Sequence, residues 1–406
     1  MQAYIYSILR KIKKSKFYNF FTAQRSRFYL KKNIKQRYND NTIRVAFIAY
    51  EPGMWDKQAP VYNKMLLNDN FDPYIIVVPD LSISKEATQE KINFFLNNYP
   101  NTILYDENTL NKFKNHEFAY TFYQTPYNYK YPKNIQPNKL VKYSKLCFIP
   151  YAYIGAEEFF KVSSHENFFD NIYMSFMDSE PMKDLLLSKY NKTTSKRLQH
   201  IVFLGYPAFE HYIDMPAKKQ IDSILWIPRW SYAEKGGGSH FLEYKDLYND
   251  LAFQNKELNW TMRPHPLMFT TLANQGLFPP EQAEQYRKNC SNAKVSIDEH
   301  SLLSDTLNNT DLLIADYSSI IIMYFLTGRP IIYCRGNHNL SGIYRSIYEA
   351  MYIAESWEDV QKYTKQILNG DDPLKEKRKQ IVTCEIEKHK NASDRIINAI
   401  YNDYFL

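Results

Sequence analysis

The sequence is poor in the residues that build disulfide or metal frameworks. Its 406 residues include four cysteines, Cys147, Cys290, Cys334 and Cys384, which lie far apart and form no CxxC pair. The nine histidines show no HExxH or similar spacing. These absences predict reduced thiols and argue against a disulfide framework, a cysteine zinc site or any other dedicated metal site.

Long apolar runs are also missing. No stretch reaches the roughly 20 residues needed to cross a bilayer, and the N-terminus lacks the apolar core and cleavage site of a signal peptide. The composition, 44% hydrophobic and 23% charged, is typical of a soluble globular protein. The length allows two domains of ordinary size, so we expect a two-domain cytoplasmic protein.

Positive charge is concentrated at the N-terminus. Residues 1–44 carry a net charge of +11, whereas the whole chain carries +7, so the remainder is mildly acidic. In this arm, apolar residues such as Ile5, Ile8 and Phe17 recur at roughly helical spacing among lysines and arginines. The pattern favours a basic amphipathic helix on an anionic membrane. Packing on the body, an oligomer contact or, with least weight, nucleic-acid binding are the alternatives.

Beyond the arm, short apolar segments alternate with helix-length segments twice over. The first series runs from VAFIAY (45–50) to HIVFLG (200–205), and the second runs from SILWIP (223–228) to PIIYC (330–334). This alternation predicts two doubly wound α/β domains with a cleft at the carboxyl ends of their strands. The predicted boundaries are an arm at 1–44, domains at 45–205 and 221–406 joined by a linker at 206–220, and a terminal helix in the second domain.

The stretch DLLIADYSSIIIMYFLTGRPIIYC (311–334) contains the most informative turn. DLLIA is typical of a buried parallel strand, and SIIIMYFLTG is typical of a helix that ends at Gly328. Ser318 and Ser319 therefore fall at a helix N-terminus, where backbone N–H groups and two hydroxyls suit phosphate oxygens. A serine that only caps the helix would explain the same residues.

Two further motifs follow predicted strands. RPHP (263–266) places Arg263 beside His265 on a backbone restricted by proline, which suits binding of a diphosphate or protonation of a leaving phosphate. IPRWSYAEKGGGSHF (227–241) brings Arg229, Ser239 and His240 around three glycines that permit close approach of a ligand. Each motif, taken alone, is also compatible with an ordinary surface loop.

Taken in order, PRW, RPHP, the run from Asp305 to Ser319 that ends in DYSS, and GRPIIYC resemble the C-terminal half of the CDP-glycerol glycerophosphotransferase family. NASDRII (391–397) is similar to that family's closing helix. The resemblance covers about residues 200–400. It implies a GT-B architecture of two Rossmann-like domains facing a cleft, with the CDP-activated donor held mainly by the C-terminal domain.

The resemblance also implies roles for individual residues. His265 is similar to the family's donor-phosphate histidine, Ser318 and Ser319 to its diphosphate-binding serines, and Asp316 would hold the turn or contact the donor. Arg229, Ser239, His240 and Arg263 complete the expected donor site. The implied reaction is attack of an acceptor hydroxyl on the phosphorus next to glycerol, with release of CMP.

The N-terminal half departs from the family pattern. Many members carry Trp-His-Gly-Thr-Pro with the histidine as general base, whereas this chain has YQTPYNYKYP (123–132), which contains Thr-Pro but no histidine. Glu51 and Asp56, in the loop after the first strand, are the candidates for an acceptor-side base, and His165 is a third.

These inferences predict a transferase that moves a polyol phosphate, most simply glycerol phosphate, to a bacterial surface glycan or lipid-linked precursor. The alternative is a GT-B glycosyltransferase that uses a nucleotide sugar, and a binding module without catalysis is a third hypothesis. We expect a CDP-polyol as substrate, no cofactor, no nucleic-acid partner and location at the inner face of the cell membrane. A homo-oligomer is compatible with the sequence.

Overall fold

A computed structural model of the chain describes residues 16–36, 40–80, 84–154, 165–213, 220–233, 238–299, 303–336 and 343–405. Predictions for residues 1–15, for residues 214–219 of the predicted linker (206–220) and for Gly236 and Gly237 lie outside the described residues. The chain forms two compact units. The first consists of Met1–Tyr153, Phe159–Ala208 and Asn391–Leu406, and the second of Ile154–Glu158 and Phe209–Lys390.

The first unit is built on a seven-stranded parallel sheet of order β3-β2-β1-β4-β5-β6-β7. Its strands are β1 (Ile43–Ala49), β2 (Phe71–Val77), β3 (Thr102–Leu104), β4 (Tyr120–Tyr123), β5 (Lys145–Phe148), β6 (Met174–Phe176) and β7 (His200–Val202). Its helices are α1 (Lys16–Ile34), α2 (Pro52–Trp55), α3 (Ala59–Leu66), α4 (Lys85–Asn98), α5 (Glu107–Lys114), α6 (Pro137–Leu140), α7 (Glu166–Phe169) and α8 (Glu180–Thr194). Short 3-10 helices span Asn128–Lys130, Lys133–Ile135 and Pro207–His211.

The second unit is built on a six-stranded parallel sheet of order β10-β9-β8-β11-β12-β13. Its strands are β8 (Ser223–Ile227), β9 (Asn259–Met262), β10 (Val295–Ile297), β11 (Leu312–Ala315), β12 (Ile331–Cys334) and β13 (Tyr352–Ala354). Its helices are α9 (Phe241–Gln254), α10 (Met268–Asn274), α11 (Pro280–Asn292), α12 (Leu303–Asn308), α13 (Ile320–Phe325), α14 (Ile343–Tyr348), α15 (Trp357–Leu368) and α16 (Lys375–His389).

The apolar strand segments explain why both sheets are parallel and covered by helices. β11 is buried along its whole length, as are β4, β5 and β12. A strand buried on both faces cannot alternate apolar and polar residues, so it appears in the sequence as a continuous apolar run. Strand order reverses between β1 and β4 and between β8 and β11, and ligands of such sheets bind beside these positions. The predicted doubly wound α/β class is confirmed.

The terminal helix differs from the expectation. α17 (Ala392–Phe405) is the terminal helix, and Asn391, whose φ of 56° breaks the α-helical path, separates it from α16. α17 belongs to the first unit rather than the second. The reason is Asp403, whose carboxylate binds Lys145 Nζ at 2.6 Å and accepts hydrogen bonds from the hydroxyls of Tyr120 and Tyr173 at 2.6 and 2.5 Å.

The described part of the arm is α1, and one face of this helix packs against the rest of the first unit. Leu30, Ser26 and Asn33 are buried there, and Asn33 Nδ2 donates to the carbonyls of Val141 and Ser144. The opposite face exposes Phe20, Phe21 and Phe28 together with lysines. The predicted separation of apolar and charged faces is therefore wrong for residues 16–34, since the outward face carries both kinds of side chain. No helix among the described residues has the length and apolar character to span a bilayer.

Candidate active site

Asp316 is the centre of a polar cluster at the carboxyl edge of the second sheet. β11 ends at Ala315, and the Asp316 N–H donates to the carbonyl of Ile227 at the end of β8, next to the reversal of strand order. The carboxylate is fully buried. It accepts hydrogen bonds from the backbone N–H groups of Arg229 (2.8 Å) and His240 (3.0 Å) and lies 2.7 Å from the Nδ1 atom of His240. These partners offset the large desolvation penalty of a buried carboxylate.

The surroundings of the His240 ring favour its protonated form. The hydrogen bond to Asp316 raises its pKa above the ordinary histidine value, although partial burial opposes the shift. The ring also stacks on Tyr244, with ring centroids 5.0 Å apart. With Nδ1–H directed to the carboxylate, the Nε2 atom is the nitrogen available to a ligand. The arrangement can present positive charge to an anion.

Arg229 is fixed beside the serine turn. Its Nη1 atom donates to the carbonyl of Tyr317 at 3.0 Å, and its guanidinium lies 5.2 Å from the centroid of the Tyr317 ring. Ser239 donates its hydroxyl to the Arg229 carbonyl at 2.6 Å and accepts the N–H of Phe241. Ser239 therefore orders the turn that carries Arg229, and the nearby Gly238 adopts φ of 89°, which L-residues rarely do.

The two serines of the turn are half-buried and differ in their bonds. The Oγ atom of Ser318 accepts the N–H of Ile320 at 3.2 Å, a cap-like contact. Ser319 is the residue before α13 and makes no side-chain cap bond. The local structure thus gives Ser318 a capping role and gives Ser319 none. Both lie within three residues of Asp316.

His265, by contrast, is held as a neutral ring. Its pKa is lowered to about 4, first by loss of water around the ring and then by the positive charge of Arg229. Its Nδ1 atom accepts the N–H of Leu267 at 3.1 Å, so in the neutral ring the proton is on Nε2. The ring stacks on Trp230, and the residue is exposed to solvent. At pH 7 His265 is a neutral hydrogen-bond donor.

Arg263, the fourth cationic or imidazole residue expected at the donor site, is engaged elsewhere. Its Nη1 atom lies 2.6 Å from Asp298 Oδ2 and 3.1 Å from Thr306 Oγ1. Asp298 follows β10 and Thr306 belongs to α12, and both the arginine and the aspartate are largely buried. This ion pair ties β9 to its neighbours, and sequence spacing gave no sign of the Asp298 partner.

The first unit has its own polar edge, which centres on Glu51. The backbone N–H groups of Tyr50 and Glu51 donate to Gln124 Oε1, and Gln124 Nε2 donates to the Glu51 carbonyl. Lys91 Nζ lies 2.5 Å from Glu51 Oε2 and 3.6 Å from Asp80. These residues follow β1, β2 and β4 or face them from α4, so they meet at the carboxyl edge of the sheet.

The other two candidate bases lie in different surroundings. Asp56 is buried, so its carboxylate is not exposed to solvent, and it forms an ion pair of 2.5 Å with buried Lys57. His165 is half-buried against the ring of Tyr127, and burial lowers its pKa. Of the three, Glu51 combines the sheet edge with partial exposure, 27% of its side chain. In the described part of the chain, no group of three or more His, Cys, Asp or Glu side chains is arranged to hold a metal ion.

Two doubly wound parallel units with polar clusters at the carboxyl edges of their sheets define a protein of the GT-B class, and known structures agree. A UDP co-structure of MnaA from S. aureus is similar with a TM-score of 0.56 and 12% identity, over 90% of this chain and 98% of that one. A putative UDP-N-acetylglucosamine 2-epimerase from Listeria monocytogenes gives 0.58 and 13%, over 90% and 97%. The wall teichoic acid polymerase TagF gives 0.53 and 12%, over 96% and 98%.

At these identities the similarity establishes the fold alone. The family comes from the sequence of the second half, where residues 208–402 match the model of the CDP-glycerol:poly(glycerophosphate) glycerophosphotransferase family. This segment of the chain is therefore similar to that family, and the protein is a CDP-glycerol glycerophosphotransferase-like enzyme. No curated protein matches the chain at a significant level.

Proposed function

We propose that the protein transfers a polyol phosphate, glycerol phosphate in the simplest case, from a CDP-activated donor to a hydroxyl of a bacterial surface glycan or its lipid-linked precursor. The observation that carries the proposal is the Asp316 cluster, which lies inside the segment that matches the glycerophosphotransferase family. The acceptor oxygen forms a bond to the phosphorus next to glycerol. The bond from that phosphorus to the bridging oxygen breaks, and CMP leaves.

The second unit would hold the diphosphate of the donor. Arg229 supplies positive charge on one side of the turn, and the contact with Asp316 raises the pKa of His240, which favours a second positive charge there. Ser318, Ser319 and the Nε2–H of neutral His265 supply hydrogen-bond donors. In phosphoryl transfer the protein mainly positions the reactants and stabilises charge, so this mixture of cations and neutral donors is the equipment that the reaction requires.

The first unit would activate the acceptor, with Glu51 as general base. A carboxylate at the end of β1 can accept the hydroxyl proton as the new oxygen–phosphorus bond forms. Lys91, 2.5 Å away, keeps the carboxylate in one orientation, and Gln124 fixes the backbone on either side of it. Buried Asp56 is better suited to holding the loop in place through Lys57.

Membrane association through α1 would bring the enzyme to a lipid-linked acceptor at the inner face of the cell membrane. Phe20, Phe21 and Phe28 are more than half exposed, and Lys31 and Lys32 lie on the same outward side. Exposed aromatic rings among lysines suit the headgroup layer of an anionic membrane, where each lysine contributes about 1 kcal/mol.

The decisive experiment supplies the purified protein with CDP-glycerol labelled at the phosphorus next to glycerol, with CDP-ribitol, or with UDP-sugars, and with a synthetic lipid-linked saccharide as acceptor. Transfer of labelled phosphorus with release of CMP is the expected result. Incorporation of a sugar without phosphorus would instead support the nucleotide-sugar glycosyltransferase, because the same fold binds UDP in MnaA.

A further inference from the structure

A cavity of about 220 Å³ lies in the first unit between α1 and the segments that precede β5 and β6. Its walls are rich in amide side chains and include one aromatic ring and one guanidinium. The lining residues include Arg25, Tyr29, Asn128, Asn138, Asn167 and Asn171. Ligand pockets for larger molecules measure roughly 300–1,000 Å³, so this one suits a single small polar molecule or one unit of a larger one.

The cavity is assembled by hydrogen bonds that fix its walls. Ser26 on α1 donates its hydroxyl to Asn171 Oδ1 at 2.8 Å, and Asn171 Nδ2 donates to the Asn167 carbonyl at 2.9 Å. Asn33, one turn beyond Leu30 on the same helix, holds α1 against the body through two carbonyls. The walls are thus ordered by the packing of α1.

The chemistry of the walls matches a polyhydroxylated ligand. A side-chain amide offers both a donor and an acceptor, as a sugar hydroxyl does, whereas a site for a bare anion would need a cluster of cations. Asn128 has a buried Oδ1 atom with no hydrogen-bond partner in the described part of the protein. Leaving such an acceptor unpaired costs about 1–3 kcal/mol, and a ligand hydroxyl would pair it.

The Tyr29 ring, which also lines the cavity, lies close to two cationic side chains. The Arg25 guanidinium lies 5.8 Å from the ring centroid, and Lys142 Nζ lies 5.7 Å from it. Asp170 also lines the cavity, so its charge is mixed rather than strongly positive. A neutral sugar fits this balance better than a free phosphate does.

One loop connects this cavity to the edge that carries Glu51. Gln124, at the start of the loop, binds the backbone of Glu51, and Asn128, four residues later, lines the cavity. Lys130 follows and reaches Asp80 at 3.4 Å. We propose that the cavity binds one sugar unit of the acceptor glycan, an inference that rests on the proposed function and extends it to a recognition site for the acceptor.

The test measures sugar binding and transfer separately, with the full chain. Saturation-transfer NMR with methyl glycosides of glucose and N-acetylglucosamine, and with glycerol phosphate as the comparison, reports binding without any donor. Asn138→Leu fills the cavity from an exposed position, and Asn134→Leu, on a neighbouring exposed position outside it, is the matched control. Loss of one or two hydrogen bonds predicts sugar binding weaker by about tenfold or more in Asn138→Leu and unchanged in Asn134→Leu.

In transfer assays, Asn138→Leu should raise the KM for the saccharide acceptor by a similar factor while the KM for CDP-glycerol stays the same. Sugar contacts that are absent from the wild-type protein, or equal in Asn138→Leu and wild type, would overturn the proposal. If the wild-type protein releases no CMP from CDP-glycerol but keeps sugar contacts that Asn138→Leu loses, the proposed function fails and the sugar site stands.

Discussion

Asp316 holds His240 at two points, the ring Nδ1 atom at 2.7 Å and the backbone N–H at 3.0 Å. The same carboxylate accepts the N–H of Arg229, so one buried side chain orients both cationic residues of the candidate donor site. Removing the Asp316 carboxylate should therefore change both the pKa of His240 and the positions of His240 and Arg229.

Asp316→Asn should lower the pKa of His240 toward its ordinary value and reduce turnover with CDP-glycerol. The hydrogen bond to Asp316 is the largest cause of the raised pKa, and loss of one positioned charge at a phosphoryl-transfer site costs about 10²–10³ in kcat. Histidine NMR titration and CMP release measure the two effects. Asp371→Asn, at an exposed position in the same unit, should change neither. A variant with unchanged His240 titration would contradict the assigned contact.

His265 and His240 should titrate in opposite directions from the ordinary histidine pKa near 6.5. The His265 ring should remain neutral until the pH falls toward about 4, whereas His240 should stay protonated above the ordinary value. Arg229→Gln should raise the pKa of His265, because the arginine charge is the second cause of its depression. Ring resonances in NMR spectra between pH 3 and 9 provide the measurement. If both histidines titrate near pH 6.5, the two rings do not have the different environments assigned to them.

The raised pKa of His240 also predicts a pH dependence of stability. A folded-state pKa above the unfolded value favours the protonated folded protein, so the stabilisation is fully present below about pH 6.5 and disappears as the pH rises through the folded value. Urea unfolding of the wild-type protein and His240→Gln at pH 6 and at pH 9 compares the two conditions. The difference in the free energy of unfolding between wild type and His240→Gln should be larger at pH 6 than at pH 9. A difference that increases with pH would contradict the raised pKa of His240.

Glu51→Gln and Asp56→Asn should give different defects. Glu51→Gln should lower transfer by about 10²–10⁴, as expected when a general base is removed, and should leave CDP-glycerol binding unchanged. Asp56→Asn leaves buried Lys57 without its charged partner, so it should reduce the free energy of unfolding by about 3–5 kcal/mol. Denaturant unfolding and transfer assays of both variants separate the roles. Normal transfer by Glu51→Gln would exclude it as the base.

Asp403 should stabilise the first unit far more than Asp394 does, although both lie on α17. The Asp403 pair with Lys145 is largely buried, so Asp403→Asn should cost about 3–5 kcal/mol. The exposed pair of Asp394 with Lys64 should contribute about 0–1 kcal/mol. Urea unfolding measures both.

Burial opposes ionisation of Asp403, but Lys145 and hydrogen bonds lower its pKa on balance. A lowered folded-state pKa gives stability that is present above the unfolded value of about 3.9 and is lost as the pH falls through the folded value. The difference in the free energy of unfolding between wild type and Asp403→Asn should accordingly decrease below about pH 4. An equal gap at pH 7 and at pH 2.5 would argue against an ionised Asp403.

The outward face of α1 predicts selective membrane binding. Replacing Phe20, Phe21 and Phe28 with serine should weaken binding to phosphatidylglycerol vesicles by about 10³-fold or more, because each buried ring contributes on the order of 1.5–3 kcal/mol. Vesicle co-sedimentation provides the measurement, and Phe253→Ser, at an exposed site in the second unit, is the control. Equal binding of wild type to neutral phosphatidylcholine vesicles would remove the role assigned to the lysines.

Local sequence patterns were sufficient for the strands and for the main turn. Runs such as DLLIA and PIIYC predict β11 and β12 because a strand buried on both faces must be apolar throughout, and Gly328, at φ 73°, marks the end of the segment predicted as a helix. The short strand β13 has no such run and was missed. The resemblance to the glycerophosphotransferase family implied that Arg229, His240 and Asp316 belong to one donor site, and hydrogen bonds to the Asp316 carboxylate bring these residues together in the structure.

Long-range pairing depended on the tertiary structure. Arg263 forms an ion pair with Asp298, which is 35 residues away in sequence, and Asp403 forms one with Lys145, which is 258 residues away. The sugar-sized cavity exists only because α1 packs across segments more than 100 residues distant from it. Burial on both faces of a strand requires a continuous apolar run, which is visible in the local sequence. The partner of a charged or amide side chain is instead determined by the folded chain, and the local sequence does not identify it.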